Sequence, residues 1–515
     1  MWQQKLMNVC FATPGWFADK DLFKGALKGQ RSWEGAGNIV FTGFRDCNDL
    51  NEPGVHITIR PDQGSATDDP NNGVIRMALD WQDPEATQDR CTYNGLGREE
   101  CIVTVGLHEF GHALGIAHEH MRGGPTTPWY PELTPCGFNG FIGDATYGPY
   151  DAQSLMTYCG FPTQLSATDR KGFQLMYGQR DQSKTRLSDV NNDGRADLIC
   201  YDTQTGYRWV DYANPDGQYD AIHDFHGPAP ALTTCAAPHN RIYKGEFSGP
   251  GTRVDLLCVD YNTGPYVIDF AAATSTPYAS WDAYAIPDWG WCNHPTGRIF
   301  VGDFNGDTKD DLMCHDESNG SIWIDYNGGA GGFTGTNFQY PAGWCWGKNG
   351  SLHIGRFNND LRSDLLCHDR ESGQMWIEYA DANGQFHGVP DWYGAGKCNE
   401  FSEEVLIGDF NGDSRDDFLC HDMVSGFLQI DLADANQLAV FSPTMYDSAS
   451  AVFCAHSAAR LFVGKINQDP YDDLLCHDTQ NGQKWVKYAT PSGEFYNPWW
   501  YTNANWCSHF AGQLL

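Results

Sequence analysis

No run of about 18 uninterrupted apolar residues occurs in the chain, which excludes a membrane-spanning helix. The most apolar stretch, Cys101 to Leu107, leads directly into a polar, histidine-rich segment. Basic residues are scarce: 33 Lys and Arg face 66 Asp and Glu, a formal charge of -33, so no basic stripe is offered to a phosphate backbone. Nucleic acid is therefore not an expected partner. The opening MWQQKLMNVCF has one lysine and no apolar run, and reads as mature chain rather than secretory leader. What the chain does have is 515 residues, enough for more than one domain, and 41% hydrophobic with 14% aromatic residues, enough for packed cores. Its 18 cysteines, an even number at regular spacings, suit an oxidising compartment and predict a secreted, extracellular protein.

From residue 188 onward the chain repeats. Six segments align: SDVNNDGRADLICYD from Ser188, GEFSGPGTRVDLLCVD from Gly245, GDFNGDTKDDLMCHD from Gly302, GRFNNDLRSDLLCHD from Gly355, GDFNGDSRDDFLCHD from Gly408 and GKINQDPYDDLLCHD from Gly464. Their cysteines at 200, 258, 314, 367, 420 and 476 are stepped by 58, 56, 53, 53 and 56 residues. A second series, Cys235, Cys292, Cys345, Cys398, Cys454 and Cys507, keeps the same beat. Each unit holds short apolar runs and aromatic alternation between turns, with no helical period. A unit of roughly 55 residues is the size of one propeller blade, and six blades closing into a ring bury faces that no blade buries alone. A seventh blade, built from the stretch around Gln174 to Leu187, is the fold alternative. The motif G-D-F-N-G-D-x-x-D-D-L resembles the FG-GAP or VCBS repeats of β-propellers, related to the integrin α-subunit head.

Residues 1–180 have another texture. A helix is predicted over roughly Ala18 to Trp33, with Leu22, Phe23, Ala26 and Leu27 on one face, and strands at Asn38–Phe44, Val55–Arg60 and Val74–Leu79. The expected organisation is an α+β domain over 1–180, a short polar linker at 181–187 and an all-β propeller over 188–515.

Residues 108 to 120 read HEFGHALGIAHEH. Four residues apart on a helix, His108 and His112 present two imidazoles to one zinc ion, with Glu109 beside them. Gly115 can take the positive φ that ends a helix and lets His118 come round as third ligand. Three protein ligands leave a place for water, and Glu109 is positioned as general base. This extended motif resembles the metzincin clan of zinc endopeptidases, whose Met-containing turn is matched by Ser154-Leu155-Met156-Thr157-Tyr158. Glu119 after the third histidine resembles the astacins, in which that Glu helps anchor the mature N-terminus and the tyrosine of the Met-turn is a movable zinc ligand. By that resemblance Tyr158 stabilises the oxyanion. The likeness stops at Gly123, where GGP replaces the astacin acidic-basic-acidic run, and at Thr157, which replaces a histidine.

In the repeats, Asp189, Asn191, Asp193 and Asp197 stand at loop positions 1, 3, 5 and 9, as do Asp303, Asn305, Asp307, Asp311 and Asp409, Asn411, Asp413, Asp417. Alternating oxygen side chains around a glycine are what a calcium ion needs, although Asp- and Asn-rich turns also bond their own backbone. Arg356 and Lys465 replace the first acid of two other loops, leaving the incomplete sets Asn358, Asp360, Asp364 and Asn467, Asp469, Asp473. The histidines after the cysteines, at 315, 368, 421 and 477, read as a packing or hydrogen-bonding feature of each blade. The two cysteine series pair either within a repeat, closing loops of 31 to 35 residues, or across repeats at gaps of 22 or 23, leaving Cys200 for Cys507. The six cysteines before residue 180 allow 15 pairings; Cys91 with Cys101 and Cys136 with Cys159 is one arrangement.

These readings converge on a secreted zinc endopeptidase acting on a protein or peptide substrate, with a calcium-binding propeller that targets a glycan, matrix or cell-surface partner. The competing expectation is an adhesion or carbohydrate-binding propeller protein in which proteolysis is incidental.

Overall fold

The computed structural model describes residues 6–28, 32–47 except 38, 54–59, 66–67, 74–79, 97–118, parts of 151–173, and 185–515 apart from 228–239, 279–290, 434–452 and shorter gaps. The chain divides into two compact units, Met1–Arg180 and Asp181–Leu515.

The first unit is built on a five-stranded sheet in the order β2-β1-β3-β5-β4. Its strands are β1 (Leu6–Phe11), β2 (Val40–Asp46), β3 (Gly54–Ile59), β4 (Ala66–Thr67) and β5 (Val74–Leu79). β1 pairs in parallel with both β2 and β3, β3 with β5, and only β4 is antiparallel, on β5. The inner strand β1 has no counterpart in the sequence expectation. Its Met7, Asn8, Val9, Cys10 and Phe11 are all buried, so it lacks the polar alternation that marks a half-exposed strand. A disulfide from Cys10 to Cys47 ties it to the end of β2, and Cys101 is also disulfide-bonded. Helix α1 (Phe17–Lys28) ends five residues before the predicted Trp33, which instead opens the one-turn α2 (Trp33–Ala36). α1 buries Phe23, Ala26 and Leu27 together with Lys20, whose ammonium donates to Asp46 Oδ1 at 2.8 Å and to the Thr13 carbonyl at 2.7 Å.

The second unit is a six-bladed β-propeller of antiparallel sheets. Blade 2 is β9 (Asn240–Gly245), β10 (Asp255–Asp260) and β11 (Tyr266–Asp269); blade 3 is β12 (Gly297–Gly302), β13 (Asp311–Asp316), β14 (Ser321–Asp325) and β15 (Phe338–Tyr340). Blade 4 is β16 (Gly350–Gly355), β17 (Asp364–Asp369), β18 (Met375–Glu378) and β19 (Trp392–Gly394); blade 5 is β20 (Glu403–Gly408), β21 (Asp417–Asp422) and β22 (Leu428–Asp431). Blade 6 is β23 (Ala459–Gly464), β24 (Asp473–Asp478), β25 (Lys484–Ala489) and β26 (Phe495–Thr502). Blade 1 joins the two ends of the repeat array: β6 (Leu198–Asp202), β7 (Arg208–Asp211) and β8 (Phe225–Gly227) receive the C-terminal β27 (Gly512–Leu514), with Leu514 opposite Cys200. Of the stretch offered for a seventh blade, residues 174–184 lie outside the described residues; Arg186 bridges to Val463, and the Leu187 amide donates to the Val463 carbonyl at 2.6 Å.

The D-L-L-C-H-D strands are buried almost end to end because neighbouring blades cover both faces of each sheet. Apolar clusters accordingly form between blades: Phe300, Met313 and Ile322 of blade 3 pack with Leu352 and Leu365 of blade 4, and Phe462 and Leu475 of blade 6 pack with Leu198 of blade 1. The inner strands surround a cavity of about 580 Å³ whose lining includes Ile242, Phe300, Leu352 and Leu406.

Disulfides follow the scheme that crosses repeats: Cys292–Cys314, Cys345–Cys367, Cys398–Cys420, Cys454–Cys476 and, closing the ring, Cys200–Cys507. The first four span 22 residues and the last 307. The blade histidines act beside them. His315, His368 and His421 place Nε2 at 2.9, 2.9 and 3.1 Å from the carbonyls of Trp344, Lys397 and Phe453, each the residue before a disulfide cysteine. Because a carbonyl only accepts, Nε2 carries the proton and donates. A middle strand thus holds one entry segment by its disulfide and the next by its histidine. Tyr201 stands at this histidine's position in blade 1; in blade 6, which keeps the histidine as His477, the Trp506 carbonyl before Cys507 is met by the buried Lys484 ammonium at 3.3 Å.

Candidate metal centre

α3 (Arg98–Ala113) carries the first two histidines. Its first residue is anchored to α1 by a forked pair from Arg98 to Asp19, both contacts 2.7 Å. The helix stops at Gly115, at φ +87°. There the Ile116 amide donates to the Gly111 carbonyl and the Gly115 amide to the His112 carbonyl, both at 2.9 Å, the two bonds of a Schellman ending. A Cβ on Gly115 would meet no atom within 4 Å, so the position requires the left-handed backbone and not the space.

The turn brings His118 onto the first two rings. His112 Nε2 lies 2.9 Å from His118 Nε2, which lies 3.2 Å from His108 Nε2. His108 Nδ1 is 2.7 Å from the Leu155 carbonyl and His112 Nδ1 is 2.8 Å from the Ile116 carbonyl. Carbonyls accept only, so both Nδ1 atoms carry the proton, and in a neutral ring both Nε2 atoms are bare. Burial holds His112 below its ordinary pKa and so favours that neutral ring. A neutral His118 has at most one N–H to share between these two short contacts, whereas a shared cation takes a lone pair from each ring. The donor set fits zinc: three imidazole nitrogens on one point, two of them oriented from behind by backbone carbonyls. Glu109 follows His108 on the helix and is 5% exposed.

The expected Met-turn lies against this cluster. Ser154, Leu155, Met156 and Thr157 are buried. A Cβ on Gly111 would collide with Met156 Sδ and lie 2.9 Å from Trp33 Cζ2, so the glycine between the first two histidines is needed for the sulfur's close approach. Trp33 in turn donates from Nε1 to the Leu107 carbonyl at 2.8 Å. Asp169, which the sequence reading passed over, holds the turn in place: its buried carboxylate accepts from Ser154 Oγ at 2.5 Å, the Leu155 amide at 2.7 Å and the Ser166 amide at 2.9 Å. Leu155 thereby links Asp169 to His108. Tyr158 and Glu119 lie outside the described residues, as do Cys91, Cys136 and Cys159.

The repeat loops are arranged differently. The position-9 acids Asp197, Asp311 and Asp417 each accept a backbone amide from loop position 2 and one from the residue two beyond the third strand, and Asp197 also accepts the Asn191 amide at 3.3 Å. Those donors are Val190 and Ala213 at 2.8 and 3.0 Å, Phe304 and Asn327 at 3.1 and 2.8 Å, and Phe410 and Ala433 at 2.9 and 2.8 Å. In the incomplete loops Asp364 does the same, and Asp473 accepts the amides of Ile466, Asn467 and Ala489, the last residue of β25. Even Asp255, in the repeat with an extra residue, brackets Ser248 and Ala271. At position 1, Asp303 and Asp409 accept three amides each from their own loops, and Asp189 accepts two. At position 3, Asn305, Asn411, Asn358 and Asn467 accept the amide two residues on, whereas Asn191 Oδ1 is buried without a hydrogen-bond partner. The position-5 acids Asp193, Asp307, Asp360 and Asp413 pair with the cations Arg195, Lys309, Arg362 and Arg415 two residues on, while Asp469 accepts the Tyr471 amide. Burial, reinforced by the other loop acids, pushes Asp197 and Asp417 up to about 8 and Asp311 to about 7.

Among the described residues, three sets of His, Cys, Asp or Glu bring ligand atoms within 4.8 Å of one another. His108, His112 and His118 form one; Cys10, Cys47, His56 and Cys398, Glu403, Cys420 form the others, with their cysteines committed to disulfides. No helix among the described residues is long and apolar enough to cross a membrane.

No protein-family model matches the chain, and no curated protein matches it in sequence. Solved structures similar to it include a lectin of Agrocybe aegerita that recognises non-reducing terminal N-acetylglucosamine, at 15% identity and a TM-score of 0.42, covering 64% of this chain and 83% of that one. The periplasmic gluconolactonase of Pseudomonas aeruginosa is similar at 11% identity and a TM-score of 0.35, covering 60% and 80%. The Tc holotoxin pore of Photorhabdus luminescens matches at 14% identity and a TM-score of 0.39 over 62% of this chain and 14% of that one.

Proposed function

We propose that this protein is a secreted, metzincin-like zinc endopeptidase carrying a propeller with FG-GAP-like repeats. The observation that supports it is the convergence of three imidazole Nε2 atoms at 2.9 and 3.2 Å, with the opposite nitrogens of His108 and His112 bonded to carbonyls. His108, His112 and His118 would hold the zinc, and the chemistry zinc supplies in such a set is Lewis acidity toward water and toward a peptide carbonyl. Glu109, beside His108, takes the proton from water as general base and returns it to the departing amine. Met156 and Trp33 pack under the helix and keep the histidine rows in register, and Asp169 fixes the Leu155 carbonyl that orients His108. By the astacin likeness, Tyr158 would donate to the carbonyl oxygen as it becomes negative and Glu119 would help anchor a mature N-terminus. Casein cleavage that stops with 1,10-phenanthroline and returns with zinc supports this reading; absence of cleavage in protein with one bound zinc contradicts it.

The propeller supports a second reading, an adhesion or carbohydrate-binding role with proteolysis subordinate. Its surface exposes Ile222, Trp346, Val389 and Tyr393, each at least 60% exposed, and flat aromatic faces are what sugar rings stack on. A glycan, matrix protein or cell surface is the partner class. Failure of the zinc-loaded protein to bind any glycan, matrix or cell preparation contradicts it.

Calcium belongs to the same proposal, at Asp189, Asn191, Asp193, Asp197 and the equivalent sets from Asp303 and Asp409. The unpartnered, buried Oδ1 of Asn191 and the mutual repulsion of the loop acids support it. A cation there competes with Arg195, Lys309 and Arg415 for the position-5 acids.

A further inference from the structure

The turn joining β13 to β14 in blade 3 reads Asp316-Glu317-Ser318-Asn319-Gly320-Ser321. Corresponding turns in blades 1, 4, 5 and 6 place Thr205, Ser372, Ser425 and Asn481 where blade 3 has Asn319. In each, that side-chain oxygen accepts the amide two residues on, at 3.3, 3.3, 3.2 and 2.8 Å; Asn319 Oδ1 accepts Ser321 at 2.8 Å. The turn therefore needs only an oxygen acceptor. The residue receiving this support is Tyr207, Gln374, Phe427 or Gln483 elsewhere, and a serine only in blade 3. Blade 3 alone of these turns combines Asn at the first place with Ser at the third, the Asn-x-Ser tripeptide that oligosaccharide transfer requires. Asn319 is exposed.

From this we propose that Asn319 is an acceptor for an N-linked oligosaccharide. The donor class is an oligosaccharide carried on a polyprenyl pyrophosphate. The Asn319 Nδ2–C1 bond forms as the C1–oxygen bond to pyrophosphate breaks, the polyprenyl pyrophosphate leaves, and one amide proton passes to the transferring enzyme. In the finished turn the Asn319 Oδ1 bond to the Ser321 amide is an Asx geometry, with Nδ2 donating to Asp316 Oδ2. The Ser321 hydroxyl is buried and donates to the Pro341 carbonyl at 2.6 Å, so transfer precedes closure of the blade. The finished turn then accommodates the sugar. A glycosylated amide keeps one N–H, sufficient for the 3.0 Å bond from Nδ2 to Asp316 Oδ2, and the exposed side chain leaves room for the glycan. This inference is independent of the zinc reading.

The test uses the full chain secreted from a eukaryotic host, treated with peptide N-glycosidase in heavy-oxygen water and mapped by mass spectrometry. The expected result is heavy aspartate at Asn319, lost in N319Q and S321A and retained in S321T. The tripeptide Asn349-Gly350-Ser351 lies on a separate peptide, so modification there does not register as modification of Asn319. Because transfer acts on the unfolded chain, a misfolded variant still reports. An Asn319 peptide recovered unmodified from protein with the Cys292–Cys314 disulfide formed overturns the proposal, as does modification that persists in S321A.

Discussion

The two units contain the same kind of sequence signal, side chains at metal-ligand spacing, and their structures use it differently. In the first, His108, His112 and His118 turn their Nε2 atoms on one point while backbone carbonyls take up the opposite nitrogens of His108 and His112. In the second, Asp311 and Asp417 point at metal-loop spacing but each carboxylate bridges two backbone amides across its blade. Spacing alone does not separate the two cases. A histidine whose Nδ1–H donates to a carbonyl has one ligand atom left, whereas a carboxylate has several lone pairs and can serve a fold and an ion together.

Four measurements break or sharpen this contrast. Glu109→Gln should lower peptide hydrolysis by about 10²–10⁴-fold with zinc retained, because it removes the proton acceptor and none of the ligands. Equal activity in the variant removes Glu109 from the chemistry. In the propeller, Asp417→Ala leaves the amides of Phe410 and Ala433 buried and unmet, and should cost roughly 2–6 kcal/mol of propeller stability at about 1–3 kcal/mol for each, with hydrolysis per folded molecule unchanged. A variant with unchanged denaturation would make Asp417 an ion ligand and nothing more. Cys200→Ser with Cys507→Ser opens the ring closure and should cost about 2–5 kcal/mol, read as a lower midpoint in guanidinium.

The smallest expected effect is a pH dependence. Asp197, Asp311 and Asp417 have folded-state pKa values raised by burial to about 8, 7 and 8, above their unfolded value. The folded propeller therefore binds protons more tightly than the unfolded chain, and stability from these groups rises as pH falls from about 8 toward 4. Calcium in place of the proton should raise the melting temperature at pH 8 and flatten that slope. A slope of opposite sign, or one unmoved by calcium, removes the loops from the metal account.

Much of this architecture was legible in the residues. The D-L-L-C-H-D strands carried the propeller because a repeated strand buried on both faces must repeat its apolar run, whereas the cysteine beat left the within-repeat and cross-repeat pairings both open. His108, His112, Gly115 and His118 were legible because helical spacing and one positive φ suffice to bring them together. The inner strand β1 was not: buried on both faces, it shows no alternation, and only Met7, Val9 and Phe11 hint at it. Nor was the pairing of Leu514 with Cys200, since a closure between the two ends of a repeat array leaves no local pattern. Asp169 was missed for a similar reason, as its partners Ser154 and Leu155 lie 15 and 14 residues away. The amide partners of the position-9 acids, up to 16 residues distant, were not legible either, because they are set by the blade and not by the loop.

The most direct test is zinc stoichiometry by native mass spectrometry, run beside casein cleavage on the full chain, on Glu109→Gln and on His118→Ala. The account predicts one zinc in the first two, weakened or absent zinc in the third, and cleavage in the first alone. A chain that binds no zinc, or cleavage that survives His118→Ala, would contradict it.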